Sequence, residues 1–250
     1  MYRVNTDDFS NYMSYAENIE CGKVYPLSIA QGFQPGEIFT DKEIEPRAVM
    51  FWHKNGFAFI SGDPSEAFLQ EIYSLMSSKN KRLVVLSNDR KISDWFSTKE
   101  DLVIEERTLF SHSGHCGLFP APAGYTLAEL DEKVIDKLDG RIVPASFWND
   151  TEQFISKGRG FCAIYDGAPV AWAFTSAISR KQIDIGIEVC PDHRGKGLAV
   201  LLASFMVHYV MSVGKEPVWG CHTTNIGSCK TAARVGFEPE GTCCVIRKRT

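Results

Sequence analysis

Residues 183–206 read IDIGIEVCPDHRGKGLAVLLASFM, and the reading of this stretch decides the fold. Ile183, Ile185, Ile187 and Val189 fall on one face of an alternating run, with Asp184, Gly186 and Glu188 on the other, which is the period of a strand. Pro191 has no backbone N–H, so the ladder is interrupted there and the strand end can part from its neighbour. Arg194-Gly195-Lys196-Gly197-Leu198-Ala199 follows, and then Leu198, Leu201, Leu202, Phe205, Met206 and Tyr209 recur at helical spacing. The order is strand, glycine-rich turn, helix.

Such a turn aims several backbone N–H groups at one point on the positive end of a helix, a cradle for phosphate oxygens. A Cβ would hold the anion away from those amides, and Arg194 and Lys196 add positive charge. An ordinary strand-to-helix turn is the plainer reading of the same residues. The spacing excludes two rivals. It contains neither the triphosphate-loop pattern Gly-x-x-x-x-Gly-Lys-Ser/Thr nor a dinucleotide Gly-x-Gly-x-x-Gly with a downstream ribose-binding acid.

Arg194 to Ala199 resembles the Arg/Gln-x-x-Gly-x-Gly/Ala signature of the GCN5-related N-acetyltransferases. Asn225-Ile-Gly-Ser228 to Val235-Gly236-Phe237 is similar to that family's Asn-x-x-Ala/Ser … Gly-Phe segment. The match covers residues from about 125 to 250. The whole chain also resembles a bacterial subgroup that includes a zwittermicin-resistance type, with an extra N-terminal region. The resemblance implies an α+β layered fold, a mixed and largely antiparallel central sheet flanked by helices. It also implies acetyl-coenzyme A as co-substrate, with its pyrophosphate on the amides of Arg194, Gly195, Lys196, Gly197, Leu198 and Ala199. Val189 would offer its backbone to the pantetheine arm and the oxyanion, and Asn225 would contact the pantetheine. Ser228 would touch a phosphate or cap the next helix.

A chain of 250 residues, 44% hydrophobic and 23% charged, can form one large domain or two modest ones. The net charge of −4 disfavours a general nucleic-acid binder and suits an amine-bearing partner. The eight cysteines form no Cys-x-x-Cys pair, the acidic N-terminus MYRVNTDDFS is not expected to act as a signal peptide, and no apolar run is long enough to span a bilayer as a helix. A cytoplasmic protein is expected, with no membrane or nucleic-acid partner and with room for a homodimer.

Along the chain, Phe9, Tyr12, Met13 and Ala16 are spaced for a helix face, and AVMFWHKNGFAFI (48–60) reads as a hairpin turning at Lys54-Asn55-Gly56. Pro64 to Met76 reads as a helix capped by Asp63, Arg82 to Ser87 as a buried strand, Ile92 to Phe96 as a short helix, and Asp101 to Phe110 as a strand. This order echoes the one around the glycine turn. Residues 1–120 are therefore expected to be either a degenerate relative of the C-terminal fold or an unrelated α/β cap, and 121–250 the acetyl-coenzyme A domain. Pro120 to Gly124 is the expected linker. His112, His115 and Cys116 supply only three neighbouring candidate ligands where zinc needs four, so a polar loop and no metal are expected. Tyr125 to Leu138 reads as a helix with Thr126 and Glu129 as its capping box. Thr151 to Ser156 follows as a helix, then a hairpin through Asp166-Gly167, the central strand and its helix. A strand at 218–223, a helix at 228–235 and a last strand at 241–247 complete the order.

Acetyl transfer to an amine needs a bound thioester, a deprotonated nucleophile and stabilisation of the tetrahedral intermediate. Glu188, on the polar face of the central strand beside Val189, is the candidate base; a carboxylate that binds the amine or braces neighbouring strands is the rival reading. Asp184 lies about 13 Å away at roughly 3.3 Å per residue, so substrate binding is its role, and Gly186 between them leaves room for a ligand. His222 is the rival base or a substrate contact, with a structural histidine as the plainer reading. In many family members a tyrosine seven residues after the asparagine protonates the leaving thiolate. Here that position is Ala232, so another donor serves (Cys229, Thr231, Tyr165 or water) or the thiolate leaves unprotonated. The expectation is an N-acetyltransferase acting on a small-molecule amine by direct attack in a ternary complex. The alternatives are a non-catalytic acyl-coenzyme A sensor and a protein N-acetyltransferase.

Overall fold

The computed structural model describes residues 1–77 and 81–249. They form two compact units: Met1–Leu109 with His222–Thr224 and Gly241–Thr250, and Phe110–Cys221 with Asn225–Glu240. The expected linker, Pro120 to Gly124, lies inside the second unit.

The first unit runs β1 (Tyr2–Arg3), α1 (Met13–Glu17), α2 (Val24–Ala30), β2 (Gly36–Thr40), β3 (Ala48–His53), β4 (Phe57–Gly62), α3 (Glu66–Met76), β5 (Val84–Ser87), α4 (Arg90–Ser97) and β6 (Leu102–His112), whose last three residues belong to the second. β1 to β4 pair antiparallel in sequence order, and β4 then pairs parallel with β5. The β3–β4 hairpin turns at Asn55-Gly56. Gly56 takes φ 95°, and the Asn55 side chain accepts the Phe57 N–H at 2.8 Å. Phe68, Leu69, Ile72 and Met76 are buried at helical spacing in one core with Met50, Ile60 and Val85.

Helix α3 is capped by Ser65, whose hydroxyl accepts the Phe68 N–H at 3.2 Å, and not by the expected Asp63. Asp63 is held by Arg47 and Lys91, whose charges draw it away from the helix.

The second unit continues with β7 (Thr126–Glu129), α5 (Glu132–Ile135), α6 (Thr151–Lys157), β8 (Gly160–Tyr165), β9 (Ala168–Ile178), β10 (Gln182–Val189), α7 (Leu198–Ser212), β11 (Glu216–His222), α8 (Ile226–Arg234) and β12 (Phe237–Lys248). The last residue of β11 and the last eight of β12 belong to the first unit. β7, β8, β9 and β10 pair antiparallel in that order, and β10 pairs parallel with β11. The sequence β10-α7-β11-α8-β12 repeats β4-α3-β5-α4-β6, with the parallel pair at the same step.

Residues 125–138 depart from expectation. Thr126–Glu129 forms a strand against β8, and only Glu132–Ile135 is helical, capped by Asp131 through the Val134 N–H at 2.9 Å. Leu127, Ala128 and Glu129 have good helix propensity, but β8 presents a free edge that satisfies a four-residue strand outright. A first helical turn carries its nucleation cost alone.

Alternation along β9 decides what lies over each face of this sheet. Ala171 and Ala173 share the core with Leu198, Leu202, Met206 and Val207 of α7, and their small size lets the helix approach closely. Phe174 faces the opposite layer, where its ring lies 5.5 Å from Phe147 and 6.1 Å from Phe154, both edge-on. Trp148 is fully buried in that layer and donates its indole N–H to the Thr175 carbonyl at 2.9 Å.

Candidate active site

Helix α7 begins at an exposed turn. Gly197 is its N-cap at φ 84°, ψ 0°, with no side-chain hydrogen bond to the first-turn amides, and Gly195 stands at φ 75°. A Cβ built at Gly195 or at Gly197 meets no atom within 4 Å. The turn therefore keeps bare amides and the positive helix end facing open space, where most helices place a Ser, Thr or Asp oxygen. Lys196 is exposed beside it, Leu198 is anchored in the core, and Ala199 is partly covered. The Arg194 side chain folds back, its Nε donating to the Val189 carbonyl at 3.2 Å, so part of this arginine braces the turn.

The second feature is the edge of β10. Parallel pairing joins only Gln182–Asp184 to Glu216–Val218. Among the described residues, Ile185 onward and Trp219 onward are not paired to each other, so the parting begins well before Pro191, the residue expected to cause it. The amide of Cys190 is used by β9, donating to the Val170 carbonyl at 2.9 Å. Backbone groups alternate along a strand, so the N–H and carbonyl of Val189 and of Ile187 face the side where β11 has withdrawn. A thin ligand arm can pair with that edge as a missing strand would.

Glu188 lies on the opposite face from α7 and is partly covered. Its Oε2 accepts the Ile142 N–H at 2.6 Å, and the Ile142 carbonyl receives the Trp172 indole N–H at 2.7 Å. Gly140 presses on the same spot: a Cβ there would stand 2.5 Å from the Trp172 ring and 2.6 Å from Glu188 Oε2. Residues 140–142 thus form a strap clipped to the carboxylate. Sequence reasoning missed this strap, because nothing periodic marks the stretch from 136 to 143.

Asp184 is buried, at 7% exposure, and receives the Ser176 hydroxyl on both its carboxylate and, at 3.0 Å, its carbonyl. Its carboxylate sits inside the sheet and does not line an open surface. The room expected at Gly186 is filled: Phe174 is its register partner, and an added Cβ would meet Ser176 at 3.0 Å and the Phe174 ring at 3.2 Å. His222 falls in the first unit with Glu105, at 3.9 Å, and Glu105 is held by two nitrogens of Arg247, Nε and Nη2, at 2.7 and 2.9 Å. Burial lowers the His222 pKa. Glu105 opposes that shift, while Arg107, Arg247 and Arg82 add to it.

Asn225 is exposed and caps α8, its Oδ1 accepting the Ser228 N–H at 3.1 Å, so its amide NH₂ is not engaged in the cap. Ser228 is not the cap; its hydroxyl accepts the Trp219 indole N–H at 3.1 Å. Ala232 is fully buried, the Thr231 hydroxyl donates to the Gly227 carbonyl at 2.9 Å, and Cys229 lies with its sulfur 3.6 Å from that of Cys221. Tyr165 sits elsewhere, against Tyr125 and His193. In the His112–Cys116 loop, His112 bonds the Val235 carbonyl and accepts the Gly114 N–H. Among the described residues no group of three or more His, Cys, Asp or Glu is placed to hold a metal ion. No helix among them is long and apolar enough to cross a membrane.

A bare, glycine-capped helix start beside a parted parallel pair fits coenzyme A: amides for the diphosphate, and an unpaired strand edge for the amide-bearing pantetheine arm. The family model described as GNAT acetyltransferase matches residues 23–244. An uncharacterized N-acetyltransferase of Bacillus subtilis, YdfB, is 26% identical over 227 residues, covering 86% of each chain. Among solved structures, a GCN5-related N-acetyltransferase-like protein from Streptococcus suis superposes with a TM-score of 0.82 at 18% identity, over 98% of this chain and 100% of that one. A tandem GNAT protein from the clavulanic acid biosynthesis pathway gives 0.62 at 12% identity, over 96% and 93%. With the family model spanning nearly the whole chain and the folds in agreement, this protein belongs to the GNAT acetyltransferase family.

Proposed function

We propose that the chain is an N-acetyltransferase that moves the acetyl group of acetyl-coenzyme A to the amine of a small molecule by direct attack in a ternary complex. The observation that carries this reading is the uncapped start of α7 at Gly197, next to the unpaired edge of β10. The amides of Gly195, Lys196, Gly197, Leu198 and Ala199 would hold the diphosphate, and Lys196 and Arg194 would add charge. The Asn225 amide would contact the pantetheine arm, with Ser228 fixing the start of its helix. Acetyl-coenzyme A supplies the activated acyl group. The Val189 N–H, on the open edge, is the donor for the acyl oxygen.

Glu188 would take the proton of the incoming ammonium. Its Oε2 is held by Ile142, which orients the carboxylate and reserves Oε1 for the acceptor. The strap at 140–142 lies across this carboxylate, which suits a small acceptor better than an extended peptide. Ala232 offers no proton to the departing sulfur, and a thiolate with a pKa of about 8.5 leaves without one.

The first unit reads best as a copy that has lost coenzyme binding. Where α7 starts at a bare glycine, α3 starts at Ser65, whose own hydroxyl takes the first-turn amide.

A free-thiol assay with acetyl-coenzyme A and a panel of small amines tests the reading. Glu188→Gln should lower kcat by roughly 10²- to 10⁴-fold at neutral pH and recover as rising pH deprotonates the amine, with the KM for acetyl-coenzyme A unchanged. Turnover indifferent to the substitution at every pH removes Glu188 as base. Tight binding of acetyl-coenzyme A with no turnover on any amine would favour the sensor reading, to which Ala232 lends itself.

A further inference from the structure

Three aromatic residues from distant parts of the chain meet beside the glycine turn. Tyr125 precedes β7, Tyr165 ends β8, and His193 lies in the short helical turn Pro191–His193 that leads into Arg194. The Tyr125 hydroxyl and His193 Nδ1 are hydrogen-bonded at 2.9 Å. The ring centroids lie 5.0 Å apart for Tyr125 and Tyr165, 5.2 Å for Tyr165 and His193, and 5.7 Å for Tyr125 and His193. Tyr165 nevertheless stays 45% exposed, and its neighbour Gly124 carries no side chain to cover it. An aromatic ring held in place by two neighbours yet nearly half exposed can serve as a platform for another flat ring.

From this cluster we infer a binding site for the adenine base of coenzyme A, an inference that rests on the coenzyme reading above and assigns the half of the molecule that reading leaves unplaced. Two chain steps separate His193 from Gly195, so their Cα atoms lie within about 7.6 Å. That matches the ribose-and-phosphate reach between a base and its diphosphate. Direction agrees as well. The pantetheine side of the turn is the open edge of β10 that faces β11, whereas Tyr165 and Tyr125 belong to β8 and the approach to β7, across β9 on the other side. A molecule with a diphosphate at its middle therefore finds an unpaired strand edge on one side of the turn and an aromatic platform on the other. The Tyr125–His193 bond fixes the platform, and Tyr165 is its exposed ring.

The test compares two ligands on the intact protein by calorimetry: coenzyme A, and 4′-phosphopantetheine, which lacks the nucleotide. Base stacking on an aromatic ring predicts that Tyr165→Ala weakens coenzyme A by roughly 5- to 150-fold while the affinity for 4′-phosphopantetheine stays the same. Tyr165→Phe, which keeps the ring, should retain the wild-type preference for coenzyme A. The inference is overturned if Tyr165→Ala weakens both ligands equally, the result of a merely structural role, or if it weakens neither. If the wild-type protein binds neither ligand, the coenzyme reading fails first and takes the platform with it.

Discussion

Replacing Gly197 by alanine separates the two things this glycine does. At φ 84° an L-residue is strained, at about 1–2 kcal/mol, and the new methyl meets no protein atom within 4 Å, so strain is the whole structural cost. For a chain of this size that lowers Tm by about 2–8 °C. Binding should suffer separately, because the methyl occupies the space where the diphosphate approaches the amides. Losing one hydrogen bond to a charged oxygen costs about 1.5–3 kcal/mol, or roughly 10- to 150-fold in Kd. Gly214→Ala is the matched control: it sits past the other end of α7 at φ 70°, also with nothing within 4 Å of a built Cβ. Scanning calorimetry should show similar Tm losses for both variants, and titration calorimetry a weakened coenzyme A only for Gly197→Ala. Equal coenzyme A affinity in the two variants would refute the idea that these amides grip a diphosphate.

Gly140→Ala should push the strap off Glu188, because the added methyl stands 2.5 Å from Trp172 and 2.6 Å from the carboxylate. Turnover should fall by up to roughly 10²-fold with the affinity for coenzyme A preserved, as steady-state kinetics beside direct titration would reveal. Buried His53 governs an acid-sensitive step in the first unit: burial holds its pKa down to about 3, against 6.5 for an exposed histidine. Between those values the unfolded chain binds a proton that the folded state refuses, so stability drops as pH falls, by about 1.4 kcal/mol per unit where the difference is one full proton. His53→Gln should flatten urea stability measured from pH 7 down to pH 4, and an unchanged slope would contradict the assignment.

The turn at 194–199, the strand before it and the helix after it were legible in the residues themselves. A left-handed cap demands glycine locally, and an alternating run or a helical stripe is written in neighbouring positions. The β3–β4 hairpin was legible for the same reason, since Asn55 and Gly56 meet the turn's demands without help from elsewhere. What failed depended on partners far along the chain. Thr126–Glu129 is a strand because β8 had an edge to fill, and Asp184 is buried because Ser176, on the next strand, reaches it. Gly186 offers no room because Phe174 lies opposite in the register. The carboxylate of Glu188 is visible in the sequence, but its clip to Ile142 is not, nor is the point where β10 and β11 cease to pair. Backbone angles and side-chain periods are properties of adjacent residues; register, cover and free edges are set by what packs from a distance, and only the tertiary structure decides them.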